Sequence, residues 1–469
     1  MGLFGIIGNE STNVASSVYY GLYALQHRGQ ESAGIVVNDD GVFKSYKNTG
    51  IVNDVFTDKK LRELGYGTMA IGHVRYGTLG TRGAENAEPI VVNHVKGRLA
   101  LATEGKLVNA DLLKHELELR GMIFHTTSDA EIISYIITAE RLTSPSIEEA
   151  VNRAMSKLHG GYSLLLMSPK KMIVARDENG VHPICYGMRD TGEYVVASES
   201  CALDSVGATF VREIRPGEIV VFSSEGVKLI TDHCDKKTEA MCIFEYVYTA
   251  RPDSVIYGKS VHAARKRAGA LLAQAHPVEA DVVVGVPDSG LDAALGYAEA
   301  AGIPYGIGLI KNKYIGRTFI APGQDVREDK VKIKLNPVGE TVKGKRVILV
   351  DDSIVRGTTS ARIVRLLRHA GAKEVHFRSS APAFLNPCYY GTDIESKESL
   401  IACQHPVEEI AKIIGADTLA YLRLEDVRKI AEGSSCGGYC SACFDGVYPT
   451  EAPIKIKNKF ENKISESEN

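Results

Sequence analysis

The stretch V-I-L-V-D-D-S-I-V-R-G-T-T-S, residues 347–360, decides how the second half of this chain is read. Four apolar residues, Val347 to Val350, form a short buried strand that ends in two carboxylates, Asp351 and Asp352. A Gly/Thr/Ser loop follows and opens a helix. Backbone N–H groups and hydroxyls at a helix N-terminus make an anion site suited to a phosphate. Adjacent carboxylates at the carboxyl end of a strand can hold sugar hydroxyls and a divalent cation. A strand that merely ends in Asp-Asp is the plain alternative, but the whole string is far more specific than the pair.

Working outward, the same rhythm recurs on the N-terminal side. Asp281 to Pro287 reads as a buried strand, and Leu291 to Ala301 as a helix closed by Gly302. After the opening stretch a helix runs from Ser360 to Ala370, with Ile363, Leu366, Leu367 and Ala370 on one face and Gly371 as its stop. Strand, loop, helix, strand is the order of a parallel doubly wound sheet.

The first half differs. Short apolar runs at Gly5–Gly8, Met69–His73, Leu99–Ala102, Ser163–Met167, Met172–Ala175, Glu193–Ala197 and Glu218–Phe222 read as strands. They are joined by Gly/Asp/Asn turns, which suggests an α+β sandwich with antiparallel sheets. Two helices interrupt them. One spans Ser16 to His27, with Gly29 expected as a left-handed stop. The other spans Ser128 to Leu142, with Ser128 and Glu131 expected to form a capping box. The polar stretch Asp232 to Glu239 places a boundary near residue 235. The expected domains are therefore 1–235 and 236–445, with a tail at 446–469.

The chain has 469 residues, 44% hydrophobic and 24% charged, which suits a soluble globular enzyme. Its net charge of −3, with no basic arm, argues against nucleic acid as a partner. No apolar run is long enough for a membrane helix, and the start M-G-L-F-G-I-I-G lacks a signal peptide's basic region. Nine irregularly spaced cysteines argue against a disulfide framework and for a cytoplasmic location. Cys440-Ser441-Ala442-Cys443 is a C-x-x-C that zinc, redox chemistry or an iron–sulfur cluster could each explain.

The opening string resembles the phosphoribosyl pyrophosphate (PRPP) motif of type I phosphoribosyltransferases. Four further segments carry a wider resemblance: Y-G-L-Y-A-L-Q-H-R-G-Q-E-S-A-G-I (20–35), G-H-V-R-Y-G-T (72–78), E-Y-V-Y-T-A-R-P-D-S (245–254) and K-Y-I-G-R-T-F-I (313–320). From residue 2 to about residue 451 the chain is similar to the glutamine PRPP amidotransferase family, in its iron–sulfur branch. The resemblance implies an Ntn-hydrolase-like N-terminal sandwich followed by an α/β type I phosphoribosyltransferase domain. It implies that Asp351 and Asp352 hold ribose hydroxyls, with Mg²⁺ at Asp352. Arg356, Gly357, Thr358, Thr359 and Ser360 would wrap the 5′-phosphate. Val286–Gly290 would be the pyrophosphate loop, with Ser289 touching PRPP or Mg²⁺. The basic segment from Lys311 to Lys334, including Arg317, would be a mobile lid that closes on pyrophosphate and excludes water. A structural 4Fe–4S cluster would take Cys242, Cys388, Cys440 and Cys443, leaving Cys185, Cys201, Cys234, Cys403 and Cys436 aside.

Two positions depart from the family. Its start is C-G-x-F-G-I, whose Cys is the glutaminase nucleophile; Met1 stands there in this chain. A thioether has no proton to lose and cannot serve as that nucleophile. The family's H-N-G-N, whose Asn stabilises the oxyanion, is replaced by Thr103-Glu104-Gly105-Lys106. Glu104 puts an acceptor where a donor is needed; losing one such donor typically costs about 2.7–4 kcal/mol in the barrier. Arg75, Thr78, Gly105 and Asp129 match glutamine-pocket positions and are expected as vestigial binding residues, unless Arg75 and Asp129 simply pair with each other. The expected activity is formation of 5-phosphoribosylamine from PRPP and free ammonia, with Mg²⁺ and the cluster as cofactors. A different amine acceptor, or a non-catalytic PRPP or purine-nucleotide regulator, are the alternatives. Homotetramers, inhibition by purine nucleotides, and an ammonia source or active paralogue as partner are further expectations.

Overall fold

A computed structural model describes residues 1–8, 12–77, 83–312, 335–392, 394 and 396–456. The chain forms two compact units. The first comprises Met1–Met241, Tyr389–Thr392 and the chain from Tyr448; the second comprises Cys242–Cys388 and the chain from residue 393 to Val447.

The first unit is a sandwich of two antiparallel sheets. Its strands are β1 (Gly2–Ile7), β2 (Ser32–Asp39), β3 (Val42–Thr49), β4 (Met69–Arg75), β5 (Ile90–His94), β6 (Gly97–Leu107), β7 (Gly160–Met167), β8 (Lys171–Arg176), β9 (Cys185–Arg189), β10 (Tyr194–Ala197), β11 (Ala208–Glu213), β12 (Ile219–Ser223) and β13 (Gly226–Ile230). One sheet runs β11-β9-β10-β1-β4-β2-β3 and the other β13-β12-β8-β7-β6-β5. Side chains alternate along each strand. Met69 and Ile71 of β4, Ala100 and Ala102 of β6, and Leu165 of β7 fill the layer between the sheets. Ala70 and Val74 point outward onto the helix Val14–Ala24 through Val18 and Leu22. The same alternation carries His73, Arg75 and Glu104 into the inter-sheet layer, so its polar end lies where β4 and β6 finish.

Two local expectations fail for physical reasons. Gly29 is extended, with φ −164°, and is no left-handed stop. Glycine is needed there because a Cβ would lie 2.6 Å from the backbone N and C of Arg75. The helix Asp129–Thr143 starts at Ser128, whose hydroxyl accepts from Ala130 N at 3.3 Å. Glu131 does not close a capping box. Its carboxylate accepts from the N–H groups of His125 and Thr126 at 3.0 and 2.8 Å, which ties down the preceding loop.

The second unit is built on a four-stranded parallel sheet, in the order Val282–Gly285, Arg346–Asp351, Glu374–Ser379 and Thr418–Tyr421. Helix Leu291–Ala301 ends at Gly302 in the left-handed region (φ 66°). Helix Thr358–His369 buries Ile363, Val364 and Leu367 against the sheet. Each such side chain contributes about 1.5–3 kcal/mol when fully buried. Among the described residues no helix is long and apolar enough to cross a membrane.

Candidate functional site

In the second unit three of the expected site residues meet at the carboxyl end of the parallel sheet. Asp351 ends its strand and is buried; its Oδ1 accepts from Asp352 N at 2.9 Å. Asp352 Oδ1 accepts from Ser289 Oγ at 2.5 Å, and its Oδ2 from Ser353 Oγ at 2.5 Å. Burial, and then the neighbouring Asp352 charge, push the Asp351 carboxyl well above the usual range. Gly290 lets the loop lie flat on the adjacent strand, since a Cβ there would sit 2.5 Å from Val350 O.

Gly357 caps the helix Thr358–His369 at φ 78°, a conformation that glycine adopts without strain. Arg356, Thr358 and Thr359 are exposed at this N-terminus and Ser360 is buried. A helix start with exposed hydroxyls and an arginine, next to two carboxylates, suits a phosphate beside sugar hydroxyls. Lys311 pairs with Asp288 of the loop before Leu291. Arg317 and the rest of the expected lid from residue 313 lie outside the described residues.

The first unit holds the other constellation. Glu104 is buried in β6. Its Oε1 accepts from Arg28 Nη2 at 2.6 Å and Nε at 3.2 Å, and its Oε2 from Ser198 Oγ at 2.6 Å. Arg28 also donates to Glu199 Oε1 at 2.5 Å and to the Met1 carbonyl at 2.9 Å. Ser198 Oγ in turn accepts from Leu3 N at 2.9 Å. The expected repulsive carboxylate is thus a neutralised one. Arg28, Ser198 and Glu199 were not singled out from the sequence; only the polar H-R-G after an apolar helix hinted at them.

Arg75 does not pair with Asp129. Its carboxylate partner is Glu88, with Nη1 at 3.1 Å from Oε1, and Glu88 also accepts from Ser128 Oγ at 2.6 Å and Thr103 N at 2.7 Å. Asp129 accepts from Leu107 N at 2.8 Å, and burial pushes its carboxyl up to about 6. Gly105 has φ 100°, and a Cβ there would lie 2.0 Å from Gly161 O. Thr78 lies outside the described residues. His73 is fully buried with neither ring nitrogen hydrogen-bonded, and burial pushes it down to about 4.

Cys242, Cys388, Cys440 and Cys443 all belong to the second unit. Ile243 N donates to Cys440 O at 3.1 Å, and Leu385 N to Cys443 O at 3.0 Å, which draws the three segments together. Phe384 packs on Phe244 and Phe444, with centroids 5.5 and 5.0 Å apart. Burial raises the Cys242 and Cys443 thiols and lifts Cys440 to about 12; the other three thiols add to the shift at Cys242. Among the described residues no three of these sulfurs lie within 4.8 Å of one another.

Residues 74–205 match the model of a glutamine amidotransferase domain, and residues 259–410 that of a phosphoribosyl transferase domain. An amidophosphoribosyltransferase of Methanocaldococcus jannaschii is 48% identical over 464 residues, which covers 96% of this chain and 98% of that one. The chain belongs to the amidophosphoribosyltransferase family. The amidophosphoribosyltransferase of Bacillus subtilis is 50% identical over 455 residues, 96% of this chain and 94% of that one. The solved structure of glutamine phosphoribosylpyrophosphate amidotransferase from B. subtilis complexed with ADP and GMP matches with a TM-score of 0.88 at 49% identity, covering 96% of this chain and 98% of that one. A structure described as the allosteric regulatory enzyme of purine biosynthesis matches at 0.89, also at 49% identity, covering 96% and 97%. The architecture is accordingly that of the amidophosphoribosyltransferase family: an Ntn-type glutamine amidotransferase domain followed by a phosphoribosyltransferase domain.

Proposed function

We propose that this amidophosphoribosyltransferase homologue forms 5-phosphoribosylamine from PRPP with free ammonia, at the entry to purine synthesis, and that its glutaminase site is silent. The ammonia nitrogen bonds to ribose C1, pyrophosphate leaves with the C1–O electron pair, and the surplus proton goes to solvent. Asp351 and Asp352 hold the ribose hydroxyls. Arg356, Gly357, Thr358, Thr359 and Ser360 hold the 5′-phosphate, and Ser289, Lys311 and Arg317 act at the pyrophosphate. The chain's part is to position both reactants and exclude water.

The single observation that carries the silent glutaminase is the buried Glu104–Arg28 pair. Its carboxylate occupies the position that the family resemblance gives to an amide donor, and its charge is already matched. Met1 adds an independent loss, because it offers no thiol. Arg75, Gly105 and Asp129, with Thr78, remain as vestigial pocket residues.

The donor sets suit two cofactors. Ser289, Asp351 and Asp352 offer the hard oxygen ligands that Mg²⁺ takes, and the ion would neutralise charge on the departing pyrophosphate. Cys242, Cys388, Cys440 and Cys443 are four thiols of one unit, near enough for the other three to raise the Cys242 thiol, which suits a 4Fe–4S cluster acting as a structural tie. The relative solved with ADP and GMP supports purine nucleotides as regulators. We extend the proposal to a cytoplasmic homotetramer, supplied with ammonia by a separate protein or an active paralogue, with working domains 1–235 and 236–445.

The test is incubation of cluster-loaded protein with PRPP, Mg²⁺ and ammonium chloride. Pyrophosphate and phosphoribosylamine should appear in equal amounts; neither appearing would overturn the reading.

A further inference from the structure

In the second unit, the loop between Val282–Gly285 and Leu291–Ala301 places Asp288 next to Ser289. The Asp288 side chain is 64% exposed and pairs with the ammonium of Lys311, at the end of Leu309–Lys311 and 30% exposed. Ser289 meanwhile gives its hydroxyl to Asp352. Both groups offered for an incoming pyrophosphate are therefore already engaged by carboxylates. The two engagements differ. Asp352 is buried and stays in the site whatever binds, whereas Asp288 is exposed enough to turn to solvent once displaced.

We propose that Asp288 is an internal competitor for Lys311 that sets how tightly the site holds pyrophosphate, an inference that rests on the phosphoribosyl-transfer reading above. An arriving pyrophosphate oxygen takes the ammonium from Asp288, and on release Asp288 takes it back. The exchange lowers affinity for the leaving group and favours its departure. Asp288 is a positioning residue in this scheme, acting only through Lys311. A two- to fivefold change corresponds to about 0.4–1 kcal/mol, within the range of a half-exposed ion pair. Removing the competitor should therefore tighten pyrophosphate binding about two- to fivefold.

The test is calorimetric titration of magnesium pyrophosphate into the cluster-loaded protein and its D288N, K311Q and D288N/K311Q variants. D288N should bind about two- to fivefold tighter than the parent, and the gain should vanish in the K311Q background. Equal tightening in both backgrounds would mean plain charge repulsion and overturn the proposal. Unchanged or weaker binding by D288N would mean that Asp288 positions the loop or holds the cation, and would also overturn it. Should K311Q bind too weakly for calorimetry, the same four proteins are compared by competition of magnesium pyrophosphate against PRPP at millimolar concentrations, and the same outcomes decide. If even the parent fails to bind magnesium pyrophosphate, the phosphoribosyl-transfer reading falls as well; loss of the coupling with binding intact sinks the competition alone.

Discussion

Arg28 grips Glu104 with two nitrogens, Nη2 at 2.6 Å and Nε at 3.2 Å from one carboxylate oxygen, and both side chains are buried. They are 76 residues apart in sequence. The Glu104 carboxylate is thus a member of a buried, ion-paired network in which Arg28 also serves Glu199 and Ser198 donates to Glu104.

Removing either partner should destabilise the first unit, and unequally. Breaking a buried pair from one side typically costs about 3–5 kcal/mol. Glu104→Ala leaves Arg28 with Glu199 and should fall near the lower end. Arg28→Ala removes the guanidinium that Glu104 and Glu199 share and should cost more. Denaturant titration of the two variants checks the order; Arg28→Ala being the milder change would contradict it.

Back-substitution separates the two losses proposed for the glutaminase half. Met1→Cys alone should release glutamate from glutamine about 10²–10³-fold more slowly than the double variant, because the amide donor is still missing. Met1→Cys with Glu104→Asn should release it measurably. The donor is worth about 10²–10³ in turnover. Equal rates in the single and double variants would show that Glu104 is no obstacle.

Much of the second unit was legible in the sequence and the buried polar layer of the first was not. Leu291–Ala301 with its Gly302 stop follows from local periodicity, and Asp351 to Ser360 carries its chemistry in consecutive residues. Arg28, Glu88 and Ser198 act through partners 13 to 195 residues away, and no local pattern marks such pairings. Gly29 and Glu131 show the same limit on a smaller scale. Each has the residue type that its expected role required. Packing against Arg75, and the open N–H groups of His125 and Thr126, gave them other work.

Asp129 should leave a pH signature on stability. Its folded carboxyl is raised to about 6 by burial, above an unfolded value of about 4. A raised acid destabilises the fold only once ionised. The penalty is absent below about pH 4, grows through the interval, and is complete above about pH 6. Asp129→Asn should therefore stabilise the protein by about 3 kcal/mol at pH 7 and by little at pH 4. Thermal unfolding of both proteins at the two pH values checks this, and a gain independent of pH would contradict it.

The cysteine assignment predicts a division among the thiols of the second unit. Cys440→Ser or Cys443→Ser should abolish bound iron and the absorbance of a 4Fe–4S cluster. Cys436→Ser should keep both, since its thiol is placed to donate to Gly438 O at 3.1 Å. Iron and sulfide analysis of the purified proteins decides. Loss of iron in Cys436→Ser with retention in Cys443→Ser would reassign the ligands.

The most direct measurement is pyrophosphate release from PRPP by one preparation of cluster-loaded protein with Mg²⁺, run in parallel with ammonium chloride and with glutamine. Release with ammonium, and neither release nor glutamate formation with glutamine, is the predicted result. Glutamine-supported release accompanied by stoichiometric glutamate would contradict the account.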